Sequence, residues 1–236
     1  MNLLLLSHLF LHAQAAVSEP PGLVSPPATA VEAPTVTAGV GTVVVHVEGY
    51  CVAAGGCGPA YSAALGATVG AEAPLGAHGA VGVVALGGWV EAGSFGGAGL
   101  RLRRAVVERP GLRVAPWVTL AGGALDGEGS LVMLGGMALD AGGDRARFDL
   151  SVPLLGILAD PGTAVEAGVL VPAVAFGEMG VRFPVGSHSS LRLGTAGMAP
   201  GVDWRREVGG EGMVLEVGAH GLGFVNVGWV GLAMPL

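Results

Sequence analysis

The stretch "RARFDLSVPLLG", residues 145–156, places Arg145, Arg147, Asp149 and Ser151 at every second position, with Ala146, Phe148, Leu150 and Val152 between them. A period of two puts the two sets on opposite faces of an extended strand. The chain has 236 residues, of which 51% are hydrophobic and 12% charged, so charges spaced this regularly mark a face with its own purpose.

The same alternation recurs along the chain. In "GLRVAPWVTL", Leu112, Val114, Val118 and Leu120 oppose Arg113 and Thr119. In "FGEMGVRFPV", Met179, Val181, Phe183 and Val185 oppose Glu178 and Arg182, and in "HSSLRLG", Leu191 and Leu193 oppose His188, Ser190 and Arg192. "GMVLEVGAH" sets Met213, Leu215 and Val217 against Glu216 and His220. By the same rule Val43, Val45 and Val47 oppose His46 and Glu48, and Val225, Val227 and Trp229 oppose Asn226. Two segments depart from the pattern. "GAVGVVALGGWV" is apolar on both parities, and "LRLRRAVVE" breaks phase between Arg103 and Arg104, as a bulge or strand end would.

Gly, Pro and Asp clusters such as "PLGAHG", "ERPG", "DAGGDR", "LADPGT", "LVPAV" and "PVGSHSS" divide residues 36–236 into about twelve segments of about 9–14 residues, with ten as the alternative because even counts are expected. That length suits tilted strands crossing a bilayer. The polar face carries Gly, Ala and Ser between its charges, where a soluble sheet carries Lys, Glu and Thr, and this suits a confined interior. The fold expected is all-β: a single antiparallel up-and-down transmembrane barrel with aliphatic side chains outward. A soluble barrel with the faces inverted, binding an apolar ligand in the periplasm, is the competing placement. Membrane helices fit poorly, since residues 73–90 and 217–236, charge-free and long enough to span, each contain five Gly.

The two ends of the chain have a different texture. "MNLLLLSHLFLHAQA" has the short apolar core and small-x-small cleavage pattern of a secretory signal over residues 1–15. Residues 16–35 form a Pro-rich flexible lead-in. Export implies oxidising conditions, so Cys51 and Cys57 in "CVAAGGC" are expected to form a local disulfide, with two unpaired buried thiols as the alternative. Two Cys without a His cluster do not make a zinc site, and lone His12, His46, His78 and His220 lack a second ligand at metal spacing. No dinucleotide, phosphate-loop or hydrolase motif occurs, so no cofactor is expected. A net charge of −7 argues against a nucleic-acid partner.

Residues 36–236 resemble the antiparallel outer-membrane β-barrels of Gram-negative bacteria. The resemblance rests on the signal, on strands such as "RARFDLSVPLL" and "GVRFPVGSHSSLRLG", on tight turns such as "ERPG", and on a last strand running to the C-terminus. It implies an outer-membrane location, a lipid bilayer around the barrel, and the outer-membrane assembly machinery as a partner. The chain departs from the family in ending Met-Pro-Leu without a terminal aromatic. Only Trp89, Trp117, Trp204 and Trp229, with few Phe and Tyr, are available to mark the interfaces.

In this arrangement seven cations (Arg101, Arg103, Arg113, Arg145, Arg147, Arg182 and Arg192) and seven anions (Glu48, Glu72, Asp140, Asp149, Glu166, Glu178 and Glu216) point into the lumen. Equal numbers predict a network of ion pairs, because an unpaired charge in a confined interior is costly. The function expected is a structural barrel or a narrow, charge-lined pore for small solutes. An enzyme acting on envelope lipid is the alternative: His188 and Ser190 in "SHSSL" resemble the His-x-Ser pair of lipid A deacylases, although Leu191 stands where that family has Asn and the nearest downstream carboxylate is Glu207. "DWRRE", residues 203–207, reads as a solvated connection, with Arg205 and Arg206 free to touch lipid phosphates or a partner.

Overall fold

The computed structural model describes residues 33–52, 56–90, 93–125, 128–159, 177–196, 199–209, 212–222 and 225–236. The signal, nearly all of the lead-in, and Glu166 lie outside these residues, as does the side chain of Glu48. Thirteen strands occur among the described residues: β1 (Thr35–Val52), β2 (Gly56–Leu75), β3 (Gly79–Val90), β4 (Gly93–Arg104), β5 (Val107–Arg109), β6 (Leu112–Leu125), β7 (Glu128–Gly143), β8 (Ala146–Ala159), β9 (Glu178–Pro184), β10 (Ser189–Ala196), β11 (Ala199–Val208), β12 (Met213–Gly221) and β13 (Val225–Pro235).

Strands pair antiparallel with their sequence neighbours except β4 and β5, which both pair with β6, and β1 also pairs with β13, so the sheet closes on itself. The short β5 continues the stave begun by β4. β4 covers Trp117–Leu125 of β6, and β5 covers Leu112–Val114. Between them the Ala105 N–H donates to the His78 carbonyl (2.7 Å) and the Val106 N–H to the Val114 carbonyl (2.9 Å). The kink therefore falls at Ala105–Val106, two residues beyond the phase break expected from the sequence. The result is a closed twelve-stave barrel. Closure leaves no unpaired sheet edge, which is the condition for a sheet to exist in hydrocarbon. No helix among the described residues is long and apolar enough to cross a membrane.

Both ends of the barrel wall, Thr35 and Pro235, pair at one rim, called proximal here. Tight turns close the proximal end at 76–78, 110–111, 144–145 and 185–188, and β11 gives way to β12 at the same end between Gly209 and Gly212. This last connection was not expected. Gly209 and Gly212 take φ of 77° and 73°, a conformation open to Gly, and they let β11 turn directly into β12. "DWRRE" is therefore strand and not connection: it forms the proximal half of β11, and its Asp203 is fully buried.

Aliphatic side chains cover the outside of the barrel. Val69 and Leu100 are 56% and 45% exposed on β2 and β4, as are Leu193 (48%) on β10 and Val230 (50%) on β13. Three side chains expected on that face point inward instead: Val43, Val227 and Trp229 are all buried. In both segments a single parity had been set by one or two polar residues. Asn226, exposed near the distal end of β13, is a polar group at the margin of the outer face and a poor marker of the lumen. Pairing decides the matter, because Trp229 lies opposite Gly41 on one side and Gly218 on the other.

Candidate functional site: the barrel interior

Bulky interior side chains lie flat against the wall, and glycine on the neighbouring strand makes this possible. A Cβ added at Gly218 would meet the Trp229 indole, and one at Gly136 would meet Trp117. At Gly88 it would come 2.7 Å from Phe95, and at Gly201 2.5 Å from the His220 ring. Each pair is directly opposed in the register. Packing an aromatic ring over a cross-strand Gly covers backbone that would otherwise face the lumen. Trp117 and Trp229 are thus interior fillers. Only Trp89 and Trp204 occupy outward positions, toward opposite ends of the barrel, Trp89 being the most exposed of the four.

The deepest charged cluster joins β8, β10, β11 and β12. Arg192 donates from its Nε to Asp149 Oδ2 (2.8 Å) and from Nη1 to Asp203 Oδ2 (2.9 Å). His220 Nε2 lies 2.7 Å from the other Asp203 oxygen, and its Nδ1 lies 3.1 Å from the Ala199 carbonyl. The ring also stacks on Trp229, with centroids 4.8 Å apart and 24° between planes. Gly180 leaves the lane for the guanidinium, since a Cβ there would sit 2.6 Å from Arg192 Nε.

Two further groups lie on the proximal half of the lumen. Arg103 grips Glu72 with two hydrogen bonds, Nε to Oε1 at 2.7 Å and Nη2 to Oε2 at 3.0 Å. Arg101 beside it donates to Thr119 Oγ1 (3.3 Å). Across the barrel Arg147 pairs with Asp140 (2.9 Å), and Arg182 reaches Glu216 and Ser190 Oγ, both at 3.5 Å. Glu178 is buried on β9 opposite Ser151. Arg113 pairs with Glu108 (2.8 Å), an acid absent from the expected set. Arg145 departs from expectation: it sits exposed in the turn between β7 and β8, since β7 ends at Gly143 and β8 begins only at Ala146.

Asp203 and His220 are the main interior groups beyond the expected set. His220 was on the polar parity of its strand but had no visible partner. Asp203 shares parity with Arg205 and Glu207, a signal hidden by reading the segment as a loop. At the rim, His188 Nδ1 lies 3.2 Å from Glu207 Oε2, while Ser190 keeps company with Arg182. No hydrogen bond joins His188 to Ser190 among the described residues. The base is therefore oriented without a hydroxyl to activate, and both of its members are exposed. Among the described residues no three His, Cys, Asp or Glu gather as metal ligands would.

Solved structures with this architecture are outer-membrane proteins. A KdgM porin, crystallised with disordered oligogalacturonate, is 6% identical, matches 84% of this chain and 99% of its own, and gives a TM-score of 0.54. An outer-membrane channel from Pseudomonas putida F1 is 11% identical over 91% of this chain and 98% of its own, with a TM-score of 0.52. No family model matches the sequence, and no curated protein does. The chain thus has the fold of an outer-membrane-type β-barrel, with an aliphatic exterior suited to lipid.

Proposed function

We propose that the protein is an outer-membrane barrel whose interior is braced by ion pairs and whose passage, narrow and charge-lined, admits only small solutes. One observation carries this reading: side chains that face the lumen are nevertheless buried. Arg192, Asp203, Glu216, Trp117 and Ala138 each expose less than a twentieth of their surface, so the interior is filled at their level. A wide channel would leave such groups wet. Eleven of the fourteen charges read from the sequence lie on the inner face of described strands and act here as bracing. Those on the described strands group as Arg103 with Glu72, Arg147 with Asp140, Arg182 with Glu216, and Arg192 with Asp149 and Asp203. Planar-bilayer recording tests this reading: small, ion-sized conductance or silence is expected, and currents of general-porin size, or passage of oligosaccharides, would refute it.

The enzyme alternative finds His188 beside Glu207 and Ser190 beside Arg182, with no hydrogen bond between His188 and Ser190 among the described residues, and the soluble alternative must leave an aliphatic exterior in water. At the far end of the long β1–β2 hairpin the register sets Cys51 directly opposite Cys57. A disulfide there would staple the hairpin tip, and the cysteines should resist alkylation until a reductant is added.

A further inference from the structure

All eleven basic residues are Arg, and all lie among the described residues. They divide into two populations. Six face the lumen and are bonded there: Arg101, Arg103, Arg113, Arg147, Arg182 and Arg192. The other five, Arg104, Arg109, Arg145, Arg205 and Arg206, are exposed and have no hydrogen-bond or ion-pair partner among the described residues. All five stand at the proximal rim. Of the neighbouring rim acids, Glu108 is engaged by His78 and Arg113 and Glu207 by His188, while Asp144 stands exposed beside Arg145 in the turn.

Strand parity separates these five further. Arg205 faces inward, opposite Ser190 and Glu216. Arg104 follows Leu100 and Leu102 on the outer face of β4, both among the exposed aliphatics. Arg206 follows Val202 and Trp204 on the outer face of β11, and Arg109 lies opposite outward-facing Leu112 of β6. An aliphatic stripe that ends in an Arg, with Trp204 one position deeper, is the sequence of chemistries met on passing from acyl chain to glycerol to phosphate. A guanidinium held there without a protein acceptor presents a fork that matches two phosphate oxygens.

We propose that Arg104, Arg109 and Arg206, with Arg145 in the adjoining turn, form a belt that binds the phosphates of anionic glycerophospholipids in the proximal leaflet. The belt spans the arc from β4 through β8 to β11. It favours the orientation that puts Thr35 and Pro235, the two ends of the barrel wall, on the phospholipid side, with no Arg left at the distal rim to meet lipopolysaccharide. This surface is independent of the lumen, so it survives whether or not the barrel conducts.

The test uses the intact protein folded into phosphatidylcholine vesicles containing one-fifth phosphatidylglycerol, followed by extraction and mass measurement of the lipids that stay bound. Phosphatidylglycerol should be enriched several-fold over its share of the vesicle. Arg104→Gln, Arg109→Gln and Arg206→Gln combined should abolish that enrichment, while the corresponding triple Lys variant keeps part of it. Heat-modifiable migration confirms that each variant is folded, and Arg205→Gln, on the inner parity, should leave the enrichment unchanged. Equal enrichment in wild type and the Gln variant would overturn the proposal. So would displacement of the lipid by millimolar inorganic phosphate, which would mark a free-phosphate site, or Arg-dependent enrichment of lipopolysaccharide over phosphatidylglycerol in mixed vesicles.

Discussion

The barrel contains the same chemical pair in two settings. His220 and Asp203 meet at 2.7 Å inside the wall, where both side chains are inaccessible to solvent. His188 and Glu207 meet at 3.2 Å on the proximal rim, where they are 68% and 59% exposed. The inner pair is tied to Arg192 and Asp149 on one side and to Trp229 on the other. The outer pair is tied to nothing further among the described residues. Burial raises both the attraction between charges and the cost of leaving one alone, so a buried pair persists only when every member is satisfied. The inner cluster meets that condition through three neighbouring strands and the glycines that make room for it. The rim pair does not need to.

The sharpest way to break this contrast is Arg192→Ala, which removes the shared cation and strands the Asp203 and Asp149 carboxylates. A loss of about 3–5 kcal/mol in urea unfolding is expected. A loss below about 1 kcal/mol would mean that water reaches the cluster and screens it as it does the rim. Smaller, at about 1–3 kcal/mol, is the expected cost of Gly218→Val, whose side chain must displace the Trp229 ring and crowd the Asp203 carboxylate. Tryptophan fluorescence should report the displaced indole, and an unchanged spectrum would remove the glycine-lane account. At the other end of the scale, His188→Ala should shift stability by no more than about 0.5 kcal/mol. If it matched Arg192→Ala, the rim would be as closed as the core and the contrast would collapse.

Much of the wall was legible because hydrophobic periodicity is a local property. Leu112 through Leu120 on β6 and Met213 through His220 on β12 keep one parity throughout, and their inner and outer faces follow from it. The cluster at Asp203 was not legible, for a reason that is also physical. "DWRRE" has charges at four of its five positions, because it crosses from lumen to headgroup level within one strand and both parities become polar there. Charge density at a membrane margin looks like a loop when no neighbour is known. Val43 and Trp229 failed differently: an apolar side chain can face a filled interior as readily as lipid, so apolarity alone does not name a face.

Taken alone, the residue order determined the strand class, the stave length suited to a bilayer, and the supply of arginines and carboxylates, since these depend on spacing within a segment. Tertiary structure decided which carboxylate answers which guanidinium and which ring rests on which glycine, because those contacts join strands whose register is set only when the sheet closes. Arg192 and Asp149 are 43 residues apart in the chain, and no local pattern could have brought them together.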